Sequence, residues 1–154
     1  MGASLEKTTM NFDSRKDLEQ VVLGHTEQIL SELKSFALKE NLTGKLSNGC
    51  WSNENGVLVG WVSYLPHNEQ EEDSIELVFT LSGSGEVKNG RRNFDIGIYW
   101  TDGSVIQAIS EFDDIDFENT CAQVDSIIEK SKSELVSKMM KEISINRPPH
   151  YRAD

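Results

Sequence analysis

Two runs of acidic residues are the strongest candidates for a functional site in this sequence. The runs consist of Glu69, Glu71, Glu72 and Asp73, and of Glu111, Asp113, Asp114, Asp116 and Glu118. Neither run contains Lys or Arg. Dense carboxylates attract basic surfaces at long range, so we treat all nine residues as candidate partner-binding residues. The simpler alternative is a solvated acidic surface that only aids solubility.

Metal binding is the next chemistry to consider for these carboxylates. The segment 114–118 alternates acidic residues as calcium loops do, but it lacks the turn glycine and the distal bidentate Glu of such a loop. His25, His67 and His150 are scattered, and two Cys residues are too few for a structural zinc site. We therefore predict no metal site and no cofactor.

Catalysis finds little support among the remaining residues. Gly83-Ser84-Gly85 resembles a phosphate loop but lacks a third glycine and a following helix. Cys50 and Cys121 have no neighbours that would lower a thiol pKa. His25 falls on an apolar stripe, which is typical of a hydrogen-bonded core residue. We predict that the protein is not an enzyme, with a small enzyme that has an unrecognised pocket as one alternative.

The charge balance of the 154-residue chain narrows its possible partners. There are 26 Asp and Glu against 15 Lys and Arg, which gives a formal charge of −11. This charge repels phosphate backbones and anionic lipids, so neither nucleic acid nor a membrane is an expected partner. Residues 1–10 lack a basic stretch followed by an apolar one. We expect a cytoplasmic protein whose Cys50 and Cys121 are reduced.

Matched apolar runs on either side of Asn89-Gly90 give the strongest fold signal. A two-residue type I′ turn favours Asn-Gly, because both central residues need positive φ. Such a turn predicts that residue i pairs with residue 179 − i. Leu81 would then face Ile98 and Phe79 would face Trp100, with every large partner on one face of a sheet.

The elements that position these residues follow from periodicity and turn signals. Strands are predicted at 50–52, 57–65, 74–88, 91–101 and 104–110, joined by short turns or a polar loop into an antiparallel meander. A first helix begins near Asp13 and ends near Gly44, and a second runs from about Asp116 to Ile145. Residues 13–146 would form one domain, with flexible ends at 1–12 and 147–154.

Both helices carry apolar stripes that must be buried, and one face of the sheet has room for both. The sequence therefore predicts a two-layer α+β domain. The other face would be wetter, with Tyr64, Val78, Tyr99 and Ile106 making part of it apolar. An apolar patch on such a face is typical of a partner surface.

These expectations favour a small intracellular protein-binding module that uses its acidic surface to neutralise a basic partner. An inhibitor or immunity-type protein directed against a nuclease toxin fits, because a nuclease active site must attract phosphate. The alternative binding class is an acidic secretion or assembly chaperone that acts as a dimer. The sequence leaves the oligomeric state and the identity of the partner open.

Overall fold

The computed structural model describes residues 15–66, 73–83, 91–116 and 119–145, which form two helices and five strands. In chain order the elements are α1 (Arg15–Lys39), β1 (Lys45–Ser52), β2 (Leu58–Leu65), β3 (Ile75–Ser82), β4 (Arg91–Trp100), β5 (Val105–Asp116) and α2 (Thr120–Ile145). The strands pair antiparallel in the order β1-β2-β3-β4-β5. The predicted order of helix, five-stranded meander and helix is confirmed.

The core lies between one face of the sheet and the two helices. Alternate residues of β3 are fully buried, as are alternate residues of β4, because neighbouring side chains of a strand point to opposite faces. Val22 and Ile29 of α1 and Ile128 of α2 are fully buried against this face. Both helices pack on the sheet and on each other, so the domain has two layers as predicted.

The end of α1 is fixed by Asn41 instead of Gly44, where the sequence had predicted it. Asn41 has a φ of 58°, the left-handed conformation that Asn adopts more readily than most residues. The N–H of Leu42 donates to the carbonyl of Ala37 at 2.8 Å, and the N–H of Asn41 donates to that of Leu38. This pattern is a Schellman motif, which satisfies the last carbonyls of the helix.

The register of β3 against β4 corrects one prediction. Leu81 lies opposite Phe94 and Phe79 opposite Ile96, so residue i pairs with residue 175 − i. This register differs by four residues from the one predicted around Asn89-Gly90, which itself lies outside the described residues. Because four is even, the side chains keep the predicted faces although they have different partners.

Both ends of the sheet also differ from prediction. β1 begins at Lys45 instead of residue 50, and β5 continues to Asp116 instead of ending at residue 110. Consequently α2 begins at Thr120, later than predicted, and four residues of the second acidic run lie within a strand. The pairing of β4 with β5 has three register shifts, which is why β5 can be longer than its partner.

The expected flexible ends at 1–12 and 147–154 lie outside the described residues. No helix within the described ranges has the length and hydrophobicity needed to cross a bilayer.

Candidate functional site

The helices leave the other face of the sheet uncovered, and we call this the open face. The strand register gives its rows, of which the central two are Ser47–Ser63–Glu76–Tyr99 and Gly49–Trp61–Val78–Gly97. Val78 and Tyr99 lie there as the sequence predicted. Tyr64 and Ile106 were predicted there wrongly, because Tyr64 is buried in the core and Ile106 packs against it.

Two aromatic rings on the open face lie against glycine residues. A methyl group added at Gly49 would come within 2.4 Å of Cζ2 of Trp61. One added at Gly97 would come within 2.9 Å of Cε1 and the hydroxyl oxygen of Tyr99. Both rings therefore lie close to the backbone, in space that a side chain would otherwise fill. Trp51, on the same face of β1, is 46% exposed.

Carboxylates continue this face toward β5. Asp95 and Glu111 lie directly opposite each other on β4 and β5. Oδ1 of Asp95 is buried and has no hydrogen-bond partner among the described residues. Farther along the same two strands, Asp113 and Asp114 both lie opposite Asn93. This bulge supplies two exposed carboxylates where a regular strand would supply one.

The nine candidate partner-binding residues are placed unequally. Glu111, Asp113 and Asp114 are exposed on β5, and within the described parts of the chain none of them forms an ion pair. Asp116 is half-buried, and its backbone contacts the start of α2 by donating to Oε1 of Gln123 at 2.7 Å. Asp73 is buried at 4% exposure. The remaining four, Glu69, Glu71, Glu72 and Glu118, lie outside the described residues.

A cavity of about 450 Å³ opens at the other end of the same face. Its lining residues are Lys45, Ser47, Ser63, Leu65, Ser74, Glu76 and Thr101. Oγ of Ser47 and Oγ of Ser63 lie 2.9 Å apart and share a hydrogen bond. Burial raises the pKa of the Glu76 carboxyl above its ordinary value, because loss of solvent disfavours the charged form.

A second polar cluster lies between the helices, away from the open face. Nε2 of His25 donates to Oδ1 of Asp125 at 2.7 Å, as expected for a hydrogen-bonded core histidine. Lys132 is buried and contacts both Gln28 and Glu129. Glu129 and Lys132 also line a shallow cavity of about 430 Å³ on α2. Because the contacts of His25 and Lys132 join α1 to α2, they fit a role in packing the helices.

The last groups in the molecule that are capable of chemistry are two thiols and the side chains that can bind a metal ion. Cys50 and Cys121 are half-buried and are not joined in a disulfide. Burial, with the nearby charge of Glu19, raises the pKa of the Cys50 thiol to about 11, so its thiolate is scarce at neutral pH. Within the described residues, no three His, Cys, Asp or Glu side chains are grouped so that they could hold a metal ion.

The sequence reasoning missed Trp61, Glu76 and Asp95 as members of the candidate site. Strand alternation did carry the necessary signal, since each of the three lies between residues of the buried face. What alternation could not show is that Gly49 leaves room for the ring of Trp61, because that pairing depends on the register of β1 against β2.

The chain was also compared with known proteins. No protein-family model, no curated protein and no solved structure matches it.

Proposed function

We propose that this protein is a small acidic protein-binding module that holds a basic partner protein on its open face. The observation that carries the proposal is the combination of flat aromatic rings, those of Trp61 and Tyr99, with the exposed carboxylates of Glu111, Asp113 and Asp114. Arg and Lys side chains stack on aromatic faces and pair with carboxylates, so one face offers both interactions to a basic surface.

The charges on the open face support a cationic partner in particular. Asp95 and Glu111 are like charges placed directly across two strands, an arrangement that destabilises a sheet. A cation bound beside them would relieve this repulsion. Among the side chains that the structure describes on this face, Lys45 is the only cation, and it lies near the opposite end of the sheet.

The net charge of −11 supports the same proposal through the kinetics of association. Complementary charge accelerates encounter with a basic protein and rejects acidic ones. An inhibitor or immunity-type protein acting on a nuclease toxin would use both effects, since the target surface is basic. We propose binding without catalysis, in the cytoplasm, where Cys50 and Cys121, which form no disulfide, remain reduced.

The experiment compares the wild type with an open-face variant that carries Glu111→Ser, Asp113→Ser and Asp114→Ser. Proteins captured by the tagged wild type from its native cells are identified, purified and titrated against both forms. We expect a basic protein, whose association rate falls as salt screens charges over about 10 Å at 0.1 M, and whose affinity the variant lowers at least tenfold. If the partner is a nuclease, the wild type also inhibits its activity.

A matched control removes the same charge elsewhere. Glu27, Glu40 and Glu54 are exposed and away from the open face, and changing all three to Ser should leave the affinity near that of the wild type. Equal loss with both triple variants would mean that net charge alone matters and would contradict a defined surface. A stable dimer whose client affinity survives high salt would favour the chaperone alternative.

A further inference from the structure

The cavity at the Lys45 end of the open face has walls of two kinds. Leu65 supplies an apolar wall, and Ser47, Ser63 and Thr101 supply hydroxyl groups around the carboxylate of Glu76. Ser63 is only 8% exposed, so part of this polar lining is deep. Tyr99 lies directly across from Glu76 on β4, which makes the cavity continuous with the aromatic part of the open face.

Several groups that line the cavity can accept hydrogen bonds from a ligand. The hydroxyl of Thr101 donates its only hydrogen to the carbonyl of Ser74 at 3.1 Å, so toward a ligand it can only accept. The hydroxyls of Ser47 and Ser63 use one hydrogen between themselves, and both oxygens keep lone pairs. The Glu76 carboxylate accepts at two oxygens. A ligand rich in N–H groups would satisfy these acceptors.

The charge of Glu76 is also uncompensated within the free protein. Lys45 lines the same cavity, yet the structure places no ion pair between the two side chains, and Lys45 is exposed. Burial raises the pKa of the Glu76 carboxyl because no cation offsets the loss of solvent around it. A bound cation would lower this pKa again.

We propose that this cavity receives the guanidinium group of an Arg side chain of the basic partner. The inference rests on the proposed function and deepens it by naming the residue that the partner must present. Guanidinium has five N–H donors and no acceptor, and its fork pairs with a carboxylate at two points. The methylene stem of Arg packs on an apolar wall while its head makes polar contacts, as Leu65 beside Glu76 allows.

Other small ligands fit the cavity less well. A sugar carries no charge, so it would leave the carboxylate of Glu76 without a cation beside it. An anion would pair with Lys45 but would lie against Glu76. A Lys ammonium group has three donors and no planar fork, so it leaves more of the acceptors unsatisfied.

The test uses small probes and does not require the partner. The ¹⁵N-labelled protein is titrated with Nα-acetylarginine N-methylamide, and with the citrulline analogue, which has the same shape but no charge. We expect the Arg probe to shift the amide signals of Ser47, Ser63 and Glu76 and to bind about tenfold more tightly than the citrulline probe, as a charge-assisted hydrogen bond provides. The corresponding lysine probe should bind more weakly than Arg.

Variants assign the binding to Glu76. Glu76→Gln should lower the affinity for the Arg probe about tenfold. Lys45→Ala should raise this affinity, because it removes a like charge. Glu54→Gln, in the exposed turn after β1, should leave the affinity unchanged. Equal binding of the two probes, an unchanged affinity in Glu76→Gln, or weaker binding in Lys45→Ala would each overturn the inference. A different result would contradict the proposed function, namely full affinity for the partner in the triple variant of Glu111, Asp113 and Asp114.

Discussion

His25 and Asp125 are joined across the two helices, with Nε2 of the imidazole 2.7 Å from Oδ1 of the carboxylate. His25 is 6% exposed, whereas the side chain of Asp125 is largely exposed. Nδ1 of the same ring is buried without a hydrogen-bond partner among the described residues, and it lies 4.0 Å from Oε1 of Glu129. The ring therefore acts as a buried polar link between α1 and α2.

This link makes a first prediction about stability. His25→Ala should lower the free energy of unfolding by about 2–3 kcal/mol, because it removes a buried ring and an interhelical hydrogen bond. Asp125→Asn should cost less than about 1 kcal/mol, since its amide oxygen still accepts from Nε2–H at an exposed position. Urea denaturation measures both values. Equal losses in the two variants would show that the ring itself contributes nothing through packing.

Glu76 gives a prediction about pH. The folded protein holds the Glu76 proton to a higher pH than the unfolded chain does, because burial raises the pKa of this carboxyl. The stability due to the protonated form is thus complete below the unfolded pKa and is lost as pH rises through the folded pKa. Glu76→Gln stays neutral, so it should match the wild type at about pH 3.5 and be more stable at pH 7.

Urea denaturation across this pH range tests the sign, with Glu54→Gln as the control at an exposed position. A Glu76→Gln variant that is less stable than the wild type at neutral pH would mean that the carboxylate is compensated in the free protein. Such a result would also remove the charge argument for an Arg side chain in the cavity.

Two glycines should respond to the same substitution with opposite signs. A methyl group added at Gly24, within α1, meets nothing within 4 Å, so Gly24→Ala should stabilise the protein by about 0.5–1 kcal/mol through helix propensity. One added at Gly60 would come within 2.4 Å of Cγ1 of buried Val22, so Gly60→Ala should destabilise by about 1–3 kcal/mol. Thermal unfolding of both variants checks this. Equal shifts would contradict the close packing of α1 on β2.

The thiol of Cys50 should react slowly with disulfide reagents. With its pKa at about 11, the thiolate fraction at pH 8 is about a hundredfold below that of an ordinary Cys. In a Cys121→Ser variant, Cys50 is the remaining thiol. Its rate of reaction with a disulfide reagent is measured and compared with that of a small thiol. Adding Glu19→Gln should accelerate the reaction, because the charge of Glu19 is one cause of the raised pKa. Unchanged rates would leave burial as the only cause.

Much of the fold could be predicted because its signals are local. Apolar alternation in β3 and β4 and the stripes of α1 and α2 depend only on nearby residues, and they gave the correct elements and layers. The register of β3 against β4 depends instead on how the connection closes, and reading Asn89-Gly90 as the turn displaced it by four residues. The end of β5 was missed because its acids resembled the start of a helix.

The candidate site was predicted less well, because charge along the chain does not report burial. Asp73 and Asp114 belong to similar acidic runs, yet the first is buried and the second is exposed on β5. The aromatic part of the open face depends on long-range register, which brings Trp61 beside Gly49. Only the pairing of distant strands assembles such a surface.

The irregular ladder between β4 and β5 also affects how these molecules meet one another. Register shifts of this kind bend a strand. β4 and β5 have three of them, and Asp113 and Asp114 add charge to the outermost strand. A bent, charged margin is a poor template for the strand of a neighbouring molecule. Growth of the sheet into fibrils from this side is thereby discouraged, even at high protein concentration.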